Sequence, residues 1–283
     1  RGLNRMMEMV NGSRFGVAMM GLGIARRCYL ESAIWAHHRR VRGRLLVDLP
    51  LVREQLVDLQ VELEAAMALG FECALASRRD DGDRLRRILV PAAKARLCRF
   101  GVEAASATVE LFGGNGYCED WGLTRQLRDA QCHPIWEGSE NVCVLDVLRA
   151  MRSDAAHEAV LARIDDAIAQ SGAAPEFAGE ARDAVVRARD SLAARTGQVL
   201  ALERDESEAR SAALARALVT TMSAALLLEQ GADDLRKALV ATRYARRHLT
   251  GARDWDDGIA LVVGRELLAY DTIDEALAAK AAA

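Results

Sequence analysis

The feature that most constrains the fold of this chain is a long helical repeat of apolar residues. The repeat follows Asp48, with Pro50 in the first turn, and its members recur at alternating steps of four and three residues. They are Val52, Leu56, Leu59, Leu63 and Ala66. This spacing places all five side chains on one stripe of an α-helix. Because proline, which interrupts helices, occurs only 4 times in 283 residues, the chain is predicted to be all-α, with almost no strand.

Similar patterns predict a helical bundle in the first half of the chain. Helices are expected over about 13–41, 48–78, 83–112 and 139–151, with a shorter one over about 121–131. The intervening segments contain turn-forming glycines, among them Gly43, Gly82 and Gly116. Since short connections join antiparallel neighbours, residues 1–152 are predicted to form an up-and-down helical bundle.

The remaining residues, 153–283, are predicted to form a second helical domain, an extension that follows the bundle. A turn is expected over 170–175, and helices over about 176–196, 205–230, 233–249 and 258–278. The extension has one basic cluster, made of Arg243, Arg246, Arg247, His248 and Arg253. That cluster has two interpretations, a solvated helix face and a DNA-binding surface. Acids crowd both neighbouring segments and favour the solvated face.

Charge and cysteine content argue against several classes of protein. The chain has 38 Lys and Arg against 41 Asp and Glu, so its net charge of −3 does not by itself indicate nucleic-acid binding. Its six cysteines show no C-x-x-C pair, so no metal site is predicted; they are typical of reduced thiols in a cytoplasmic protein. No apolar run approaches the roughly 18 residues of a membrane span, and no membrane partner is expected. The chain begins Arg1-Gly2-Leu3, already within a helical pattern, which suggests a fragment of a longer protein.

Four motifs lie in order within residues 10–152. They are Asn11-Gly12-Ser13-Arg14, Ala36-His37-His38-Arg39-Arg40-Val41-Arg42-Gly43-Arg44-Leu45-Leu46, Glu110-Leu111-Phe112-Gly113-Gly114-Asn115-Gly116-Tyr117 and Ile135-Trp136-Glu137-Gly138-Ser139-Glu140-Asn141. Taken singly, each has a structural explanation: an acid at a helix start, a glycine helix terminator or a surface arginine. Taken together, they resemble the acyl-CoA dehydrogenases. Residues 116–120, 135–139 and 144–149 are most similar to the AidB-like branch of that family, which also carries a helical extension.

The resemblance implies an enzyme that uses FAD to oxidise an acyl-CoA thioester between its α and β carbons. It makes Glu137 the base that removes the α-proton, while the backbone N–H of Glu137 stabilises the enolate. Burial against Trp136 and the flavin is expected to make this carboxylate a stronger base. The implied cofactor contacts are Arg39, Glu110, Gly113, Gly114, Ser139 and Asn141, and the implied substrate contacts are Arg14, Trp136 and Gly138.

Two residues depart from the family pattern. Arg42 stands where the family has an aromatic residue, and Glu110 replaces a glutamine that meets the cofactor. An acid at position 110 faces an anionic dinucleotide, which is unfavourable unless an arginine compensates for it.

The resemblance also implies partners and an alternative function. The expected assembly is a homotetramer or homodimer, with Arg39, Gly113 and Gly114 reaching the FAD of a neighbouring subunit and an electron-transfer flavoprotein receiving the electrons. The alternative is an AidB-like alkylation-response flavoprotein that binds DNA and has weak or no dehydrogenase activity. A purely structural oligomerisation module is a third interpretation. Without the other domains of the family, the isolated chain is expected to be inactive.

Overall fold

The computed structural model describes residues 2–251 and 257–283. These residues are almost entirely helical, so the all-α prediction is confirmed. The helices of the first half are α1 (Gly2–His38), α2 (Pro50–Leu75), α3 (Gly82–Phe112), α4 (Gly114–Tyr117), α5 (Leu123–Cys132) and α6 (Glu140–Asp154). Strands in the described residues are limited to β1 (Arg40–Val41) and β2 (Arg44–Leu45), an antiparallel hairpin after α1.

Helices α1 and α3 run side by side in the same direction. Helix α2, which connects them in sequence, runs antiparallel to both. Their backbones approach closely, because a Cβ built on Gly21 would lie 2.9 Å from Cα of Cys98. Further along both helices, the hydroxyls of Ser32 and Thr108 are 2.9 Å apart. A side chain at position 21 would clash with the Cys98 backbone, so glycine is required there for this close approach. Helix α6 returns antiparallel to α3 and completes the predicted up-and-down bundle.

The extension contains α7 (Ala156–Gln170), α8 (Gly179–Leu200), α9 (Arg204–Gln230), α10 (Leu235–Ala245), α11 (Ile259–Val262), α12 (Gly264–Ala269) and α13 (Glu275–Ala282). A π-helical turn, Arg246–Thr250, continues α10. Single 3-10 turns connect several helices; they are Leu46–Asp48, Ala76–Arg78, Glu119–Trp121, Ser171–Ala173 and Glu176–Ala178.

Three helix predictions need correction. Helix α1 begins at Gly2 and not near residue 13, and α7 was not predicted. The single helix expected over 258–278 is instead the three short helices α11, α12 and α13. Helix α12 ends because the next residue, Tyr270, has a left-handed φ of 58°. Asp274 then caps α13 by accepting the N–H of Leu277 at 2.8 Å.

The extension packs against the bundle, chiefly through α2. One buried apolar core runs through both halves and includes Leu63 of α2 and Leu227 of α9. Buried charges also cross the boundary: Arg236 donates from Nη1 to Glu64 Oε2 at 3.1 Å. Helix α6 ends at Asp154, so the predicted boundary at 152 falls in its last turn. The division into two domains stays a prediction.

Within the described residues, α9 alone is long and apolar enough to cross a membrane, judged by length and composition. The sequence prediction that no run approaches this length overlooked α9. Its apolar window has a mean hydropathy of 1.6, and 72% of that window is buried inside the structure. Such burial is typical of the core helix of a bundle. The ranges 2–251 and 257–283 contain no group of three or more His, Cys, Asp or Glu placed to hold a metal ion.

Candidate active site

Glu137 lies in residues 133–139, called here the Glu137 loop, which join α5 to α6. The backbone is left-handed at two successive residues, with φ of 56° at Glu137 and 101° at Gly138. A non-glycine residue adopts such a φ only where its surroundings hold it. A Cβ at position 138 would lie 3.0 Å from Cγ1 of Val142, so glycine is needed there for both conformation and space.

Arg14 on α1 holds the Glu137 loop by its backbone. Its Nε donates to the carbonyl oxygen of Glu137 at 3.0 Å, and its Nη1 donates to Asp146 Oδ2 at 2.6 Å. Nη1 also donates to Asn11 Oδ1 at 3.1 Å. Arg14 is only 4% exposed, so this guanidinium is already engaged inside the chain. Its predicted contact with CoA stays a prediction.

Asp146 on α6 neutralises Arg14 inside the bundle. Its Oδ1 accepts hydrogen bonds from Arg87 at 2.9 Å and from Arg149 at 2.8 Å. Burial raises the pKa of the Asp146 carboxyl, but the hydrogen bond and charge of Arg87, with the charges of Arg14 and Arg149, outweigh burial and hold the pKa below its ordinary range. The sequence analysis missed Asp146. The available signal was an acid on the inward face of α6, three residues after Cys143.

Lys94 on α3 is a second buried cation beneath the Glu137 loop. The Lys94 side chain is fully buried, and its Nζ donates to the carbonyl of Pro134 at 3.1 Å and to the carbonyl of Gly138. This residue was also missed. Its signal was a charged residue on the inward stripe of α3, four residues after Val90 and three before Leu97.

The side chain of Glu137 is exposed at the surface of this chain. Trp136 beside it is 55% exposed. The expectation that Trp136 buries the Glu137 carboxylate is therefore not met within this chain, because the loop turns both side chains outward. Ser139 and Asn141 are exposed at the start of α6 near the same loop. Ser139 occupies the predicted N-cap position, but its side chain makes no capping hydrogen bond.

Arg39, Glu110, Gly113 and Gly114 gather at the far end of α1 and α3. Trp35 stacks on Phe112 with ring centroids 4.6 Å apart, and the Arg39 guanidinium lies 5.7 Å from the Trp35 ring centroid. Gly113 ends α3 with a φ of 63°. All four predicted contact residues are exposed. A Cβ built on Gly113 or Gly114 meets no atom within 4 Å, so the surface beside these glycines is open.

The two groups of predicted contacts do not come together in one chain. Arg14 contacts the Glu137 loop, and His38 lies at the far end of the bundle beside Arg39. Both residues belong to the single helix α1. At 1.5 Å of rise per residue, the 24 residues between them span about 36 Å. That length exceeds the reach of one extended flavin dinucleotide.

The basic cluster of the extension is paired with acids of α2 and its neighbours. Arg243 is only 1% exposed; its Nε donates to Asp58 Oδ1 at 2.9 Å, and Nη1 lies 3.2 Å from Asp257 Oδ2. Burial lowers the pKa of Arg243, but the neighbouring acids outweigh burial and raise it above its ordinary value. The other described ion pairs are Arg243 with Glu54, Arg246 with Glu180 and Asp257, and Arg247 with Asp58; His248 also contacts Glu62.

These pairs correct the favoured interpretation of the cluster. Arg243 is not on a solvated helix face, and in this structure it points into the seam between bundle and extension. Arg246, Arg247 and His248 are each paired with an acidic side chain, so none of them is an unpaired cation facing a DNA phosphate. Arg253 lies outside the described residues.

Comparison with known proteins identifies the family. The sequence model described as "Acyl-CoA dehydrogenase, C-terminal domain" matches residues 1–152 of this chain. The chain belongs to the acyl-CoA dehydrogenase family. The match ends close to the end of α6, so the family pattern covers the bundle that carries the Glu137 loop.

Relatives within the acyl-CoA dehydrogenase family share only part of their length with the chain. The putative acyl-CoA dehydrogenase AidB of Escherichia coli is 36% identical over 157 residues, which are 54% of this chain and 29% of that protein. Acyl-CoA dehydrogenase family member 11 of Caenorhabditis elegans is 36% identical over 156 residues, 53% of this chain and 25% of that protein. The chain thus matches between a quarter and a third of these relatives.

A solved structure extends the likeness into the extension. Caenorhabditis elegans ACDH-11, in complex with C11-CoA, superposes with a TM-score of 0.82 and 27% identity over 90% of this chain and 46% of that one. An acyl-CoA dehydrogenase from Bacillus anthracis, complexed with FAD, shares the fold over 98% of this chain and 53% of that one, with a TM-score of 0.69 and 14% identity. The arrangement of bundle and extension therefore recurs in this family.

Proposed function

We propose that this chain is the C-terminal part of an FAD-dependent acyl-CoA dehydrogenase and that Glu137 is its catalytic base. The observation that carries the proposal is the Glu137 loop, where a glutamate with a φ of 56° is held by a buried arginine and stays exposed at the surface. A glutamate with a fixed backbone and an accessible carboxylate meets the geometric need of a general base.

In the proposed reaction, the Glu137 carboxylate would take the α-proton of the thioester, which prepares the β-carbon to give up its hydride. Bound FAD supplies the hydride acceptor. Charge then develops on the thioester oxygen, where backbone N–H groups of the Glu137 loop would stabilise it. Trp136 and Gly138 would line the acyl-CoA beside the carboxylate. Contact with the other domains and the flavin would exclude water from Glu137, which this chain leaves exposed.

The residues at the far end of the bundle fit an FAD that approaches from outside. Gly113 and Gly114 leave open surface beside their backbone, and Arg39 offers a cation that carries no described ion pair. Glu110 is exposed on the same side, and Arg39 would offset its charge toward a diphosphate. Ser139 and Asn141 would contact a second FAD at the Glu137 loop.

The span of about 36 Å along α1 supports an assembly of at least two copies. In such an assembly, the far end of one chain would meet the flavin that serves the Glu137 loop of another. A homotetramer or homodimer is therefore proposed, with an electron-transfer flavoprotein as electron acceptor and acyl-CoA as substrate. The C11-CoA bound to the similar Caenorhabditis elegans protein supports the substrate class. The cytoplasmic location stays a prediction.

Anaerobic reduction of the flavin tests this function. The full-length protein is mixed with a panel of acyl-CoAs, and bleaching of the oxidised flavin is compared between wild type and Glu137→Gln. Glu176→Gln serves as a matched control, because Glu176 is exposed in the extension and carries no described ion pair. Loss of bleaching only in Glu137→Gln supports the base. Equal bleaching in all three proteins would remove Glu137 from the reaction.

A further inference from the structure

We propose that Lys94 is a positioning residue for this reaction: its ammonium fixes both ends of the Glu137 loop, so that the carboxylate and the loop N–H groups keep the geometry that α-proton removal needs. The inference rests on the function proposed above. Lys94 lies outside the four sequence motifs, and it would act through the loop backbone without touching the substrate.

A single atom of Lys94 connects the two sides of Glu137. Nζ donates to the carbonyl of Pro134 at 3.1 Å, three residues before Glu137, and to the carbonyl of Gly138, one residue after it. Arg14 binds the carbonyl of Glu137 itself at 3.0 Å. Two buried cations from α1 and α3 therefore hold three carbonyls within five residues of the loop. This arrangement explains how the left-handed backbone at Glu137 is maintained.

The direction of these carbonyls sets the direction of the loop N–H groups. The described peptide bonds are all trans, so the N–H of each peptide unit points opposite to its C=O. Because the Gly138 carbonyl faces Lys94, the N–H of Ser139 faces away from the buried ammonium. No described backbone hydrogen bond uses that N–H or the N–H of Gly138. Lys94 thereby sets the direction of the Ser139 N–H, and Arg14, through the Glu137 carbonyl, sets that of the Gly138 N–H. Both unused donors point away from the buried cations, where they would be available to stabilise negative charge.

Burial explains why Lys94 holds the loop firmly. Its side chain is fully buried, and none of the described carboxylates forms an ion pair with it. A buried ammonium without hydrogen-bond partners is strongly unfavourable. If the loop moved, the Lys94 ammonium would lose its hydrogen bonds to the Pro134 and Gly138 carbonyls and remain buried without partners.

The test isolates proton removal from hydride transfer. A 3-thia-acyl-CoA has sulfur in place of the β-carbon, so its α C–H bond can break in favour of an O–H bond on Glu137, while no β-hydride is available. Its enolate is read by the charge-transfer absorbance it forms with oxidised FAD. The full-length flavoprotein is compared as wild type, Lys94→Met and Lys280→Met. Lys280 is exposed on α13 and carries no described hydrogen bond, so it provides the matched control.

We expect Lys94→Met to lower the enolate equilibrium constant on the order of 10- to 100-fold, because small displacements of a reacting group have effects of this size. Its FAD content and its affinity for a thioether analogue without a carbonyl should stay within about threefold of wild type, because those readouts do not depend on the loop N–H groups. Lys280→Met should match wild type in every readout.

Other outcomes separate the inference from the function on which it rests. Full enolate formation in Lys94→Met, with none in Glu137→Gln, overturns the role of Lys94 and leaves the base in place. Enolate formation in Glu137→Gln overturns the proposed function. Equal losses of enolate, FAD and thioether affinity in Lys94→Met would show a merely structural role and overturn the inference.

A variant that does not fold is covered by two further measurements. A crystal structure of the wild-type flavoprotein in which Lys94 Nζ binds neither the Pro134 nor the Gly138 carbonyl overturns the inference. If both bonds are present, Lys94→Arg, which keeps a cation with several donors, should recover part of the enolate absorbance. No recovery in a folded Lys94→Arg protein that retains its FAD also counts against the role.

Discussion

The guanidinium of Arg14 donates to the backbone carbonyl of Glu137 at 3.0 Å, across 123 residues of sequence. The same guanidinium pairs with Asp146, so the buried side chain of Arg14 connects α1 to both the Glu137 loop and α6. The conformation of the candidate base is therefore set by tertiary contacts as well as by its own loop sequence.

Arg14→Met should weaken both the loop and the bundle. The substitution removes the donor to the Glu137 carbonyl and leaves Asp146 with two of its three arginines. Because breaking a buried pair costs about 3–5 kcal/mol, and Arg87 and Arg149 remain, we expect a loss of about 1–3 kcal/mol in the free energy of unfolding. The measurement is urea unfolding followed by circular dichroism.

Arg149→Met is the matched control for Arg14, since Arg149 pairs with the same carboxylate but its side chain is 60% exposed. An exposed pair contributes about 0–1 kcal/mol, so this variant should unfold close to wild type. Equal losses in both variants would contradict the importance of burial at Arg14.

Asp146 should make the stability of the chain depend on acid. Its folded pKa is held below the ordinary value, so its ionised form contributes stability above the unfolded pKa of about 3.9. That contribution disappears as the pH falls through the folded pKa. The difference in unfolding free energy between wild type and Asp146→Asn should therefore be constant from about pH 5 to 8 and shrink below about pH 4. A difference that grows toward low pH would have the wrong sign.

Gly138→Ala should disturb the Glu137 loop without unfolding the bundle. Alanine at a φ of 101° is strained, and its Cβ would lie 3.0 Å from Val142 Cγ1. Such strain costs about 1–3 kcal/mol, which the loop can relieve by shifting. We expect flavin bleaching by acyl-CoA to fall by about tenfold or more in the full-length protein.

Gly172→Ala is the comparison for Gly138, because its φ is not left-handed and its Cβ meets no atom within 4 Å. The melting temperature and the bleaching rate of Gly172→Ala should stay near wild type. Unchanged bleaching in Gly138→Ala would show that the loop tolerates another backbone conformation.

Arg243→Met should destabilise the seam between bundle and extension. Arg243 is 1% exposed and pairs with Glu54, Asp58 and Asp257. Its removal leaves Glu54 without a described ion pair, while Asp58 keeps Arg247 and Asp257 keeps Arg246. Because breaking a buried pair costs about 3–5 kcal/mol and two of the three acids keep a partner, we expect a loss of about 1–3 kcal/mol in the free energy of unfolding, measured by urea unfolding. Arg265→Met, which removes a 60% exposed partner of Asp48, should lower it by less than about 1 kcal/mol.

The sequence predicted the parts of the fold that depend on local pattern. The stripe on α2 placed Leu56 and Leu63 in the core, where each is 1% exposed, because helical periodicity alone decides which face is apolar. The turn-forming residues around Glu137 similarly predicted a tight loop before α6.

The missed features depend on partners that are distant in sequence. In the sequence, Lys94 is one of many charged residues in a helix. Its contacts with the Glu137 loop exist only because residues 134–138 fold over it. The sequence predicts a solvated face for Arg243 because its acids, Glu54 and Asp58, lie 189 and 185 residues earlier. The sequence predicts no break between α12 and α13 because Tyr270 gives no glycine or proline signal, whereas Gly264 does lie at the break between α11 and α12.

The acids along α2 also show which face of the bundle meets the extension. Glu54, Asp58 and Glu64 are neutralised by Arg243, Arg236 and Lys237, residues that belong to the extension. A bundle that had never met an extension would gain nothing from carboxylates at these three positions and would suffer their mutual repulsion. The acids of α2 therefore identify, within the bundle sequence itself, the face that the extension covers, and we expect acids at these positions in relatives that carry such an extension.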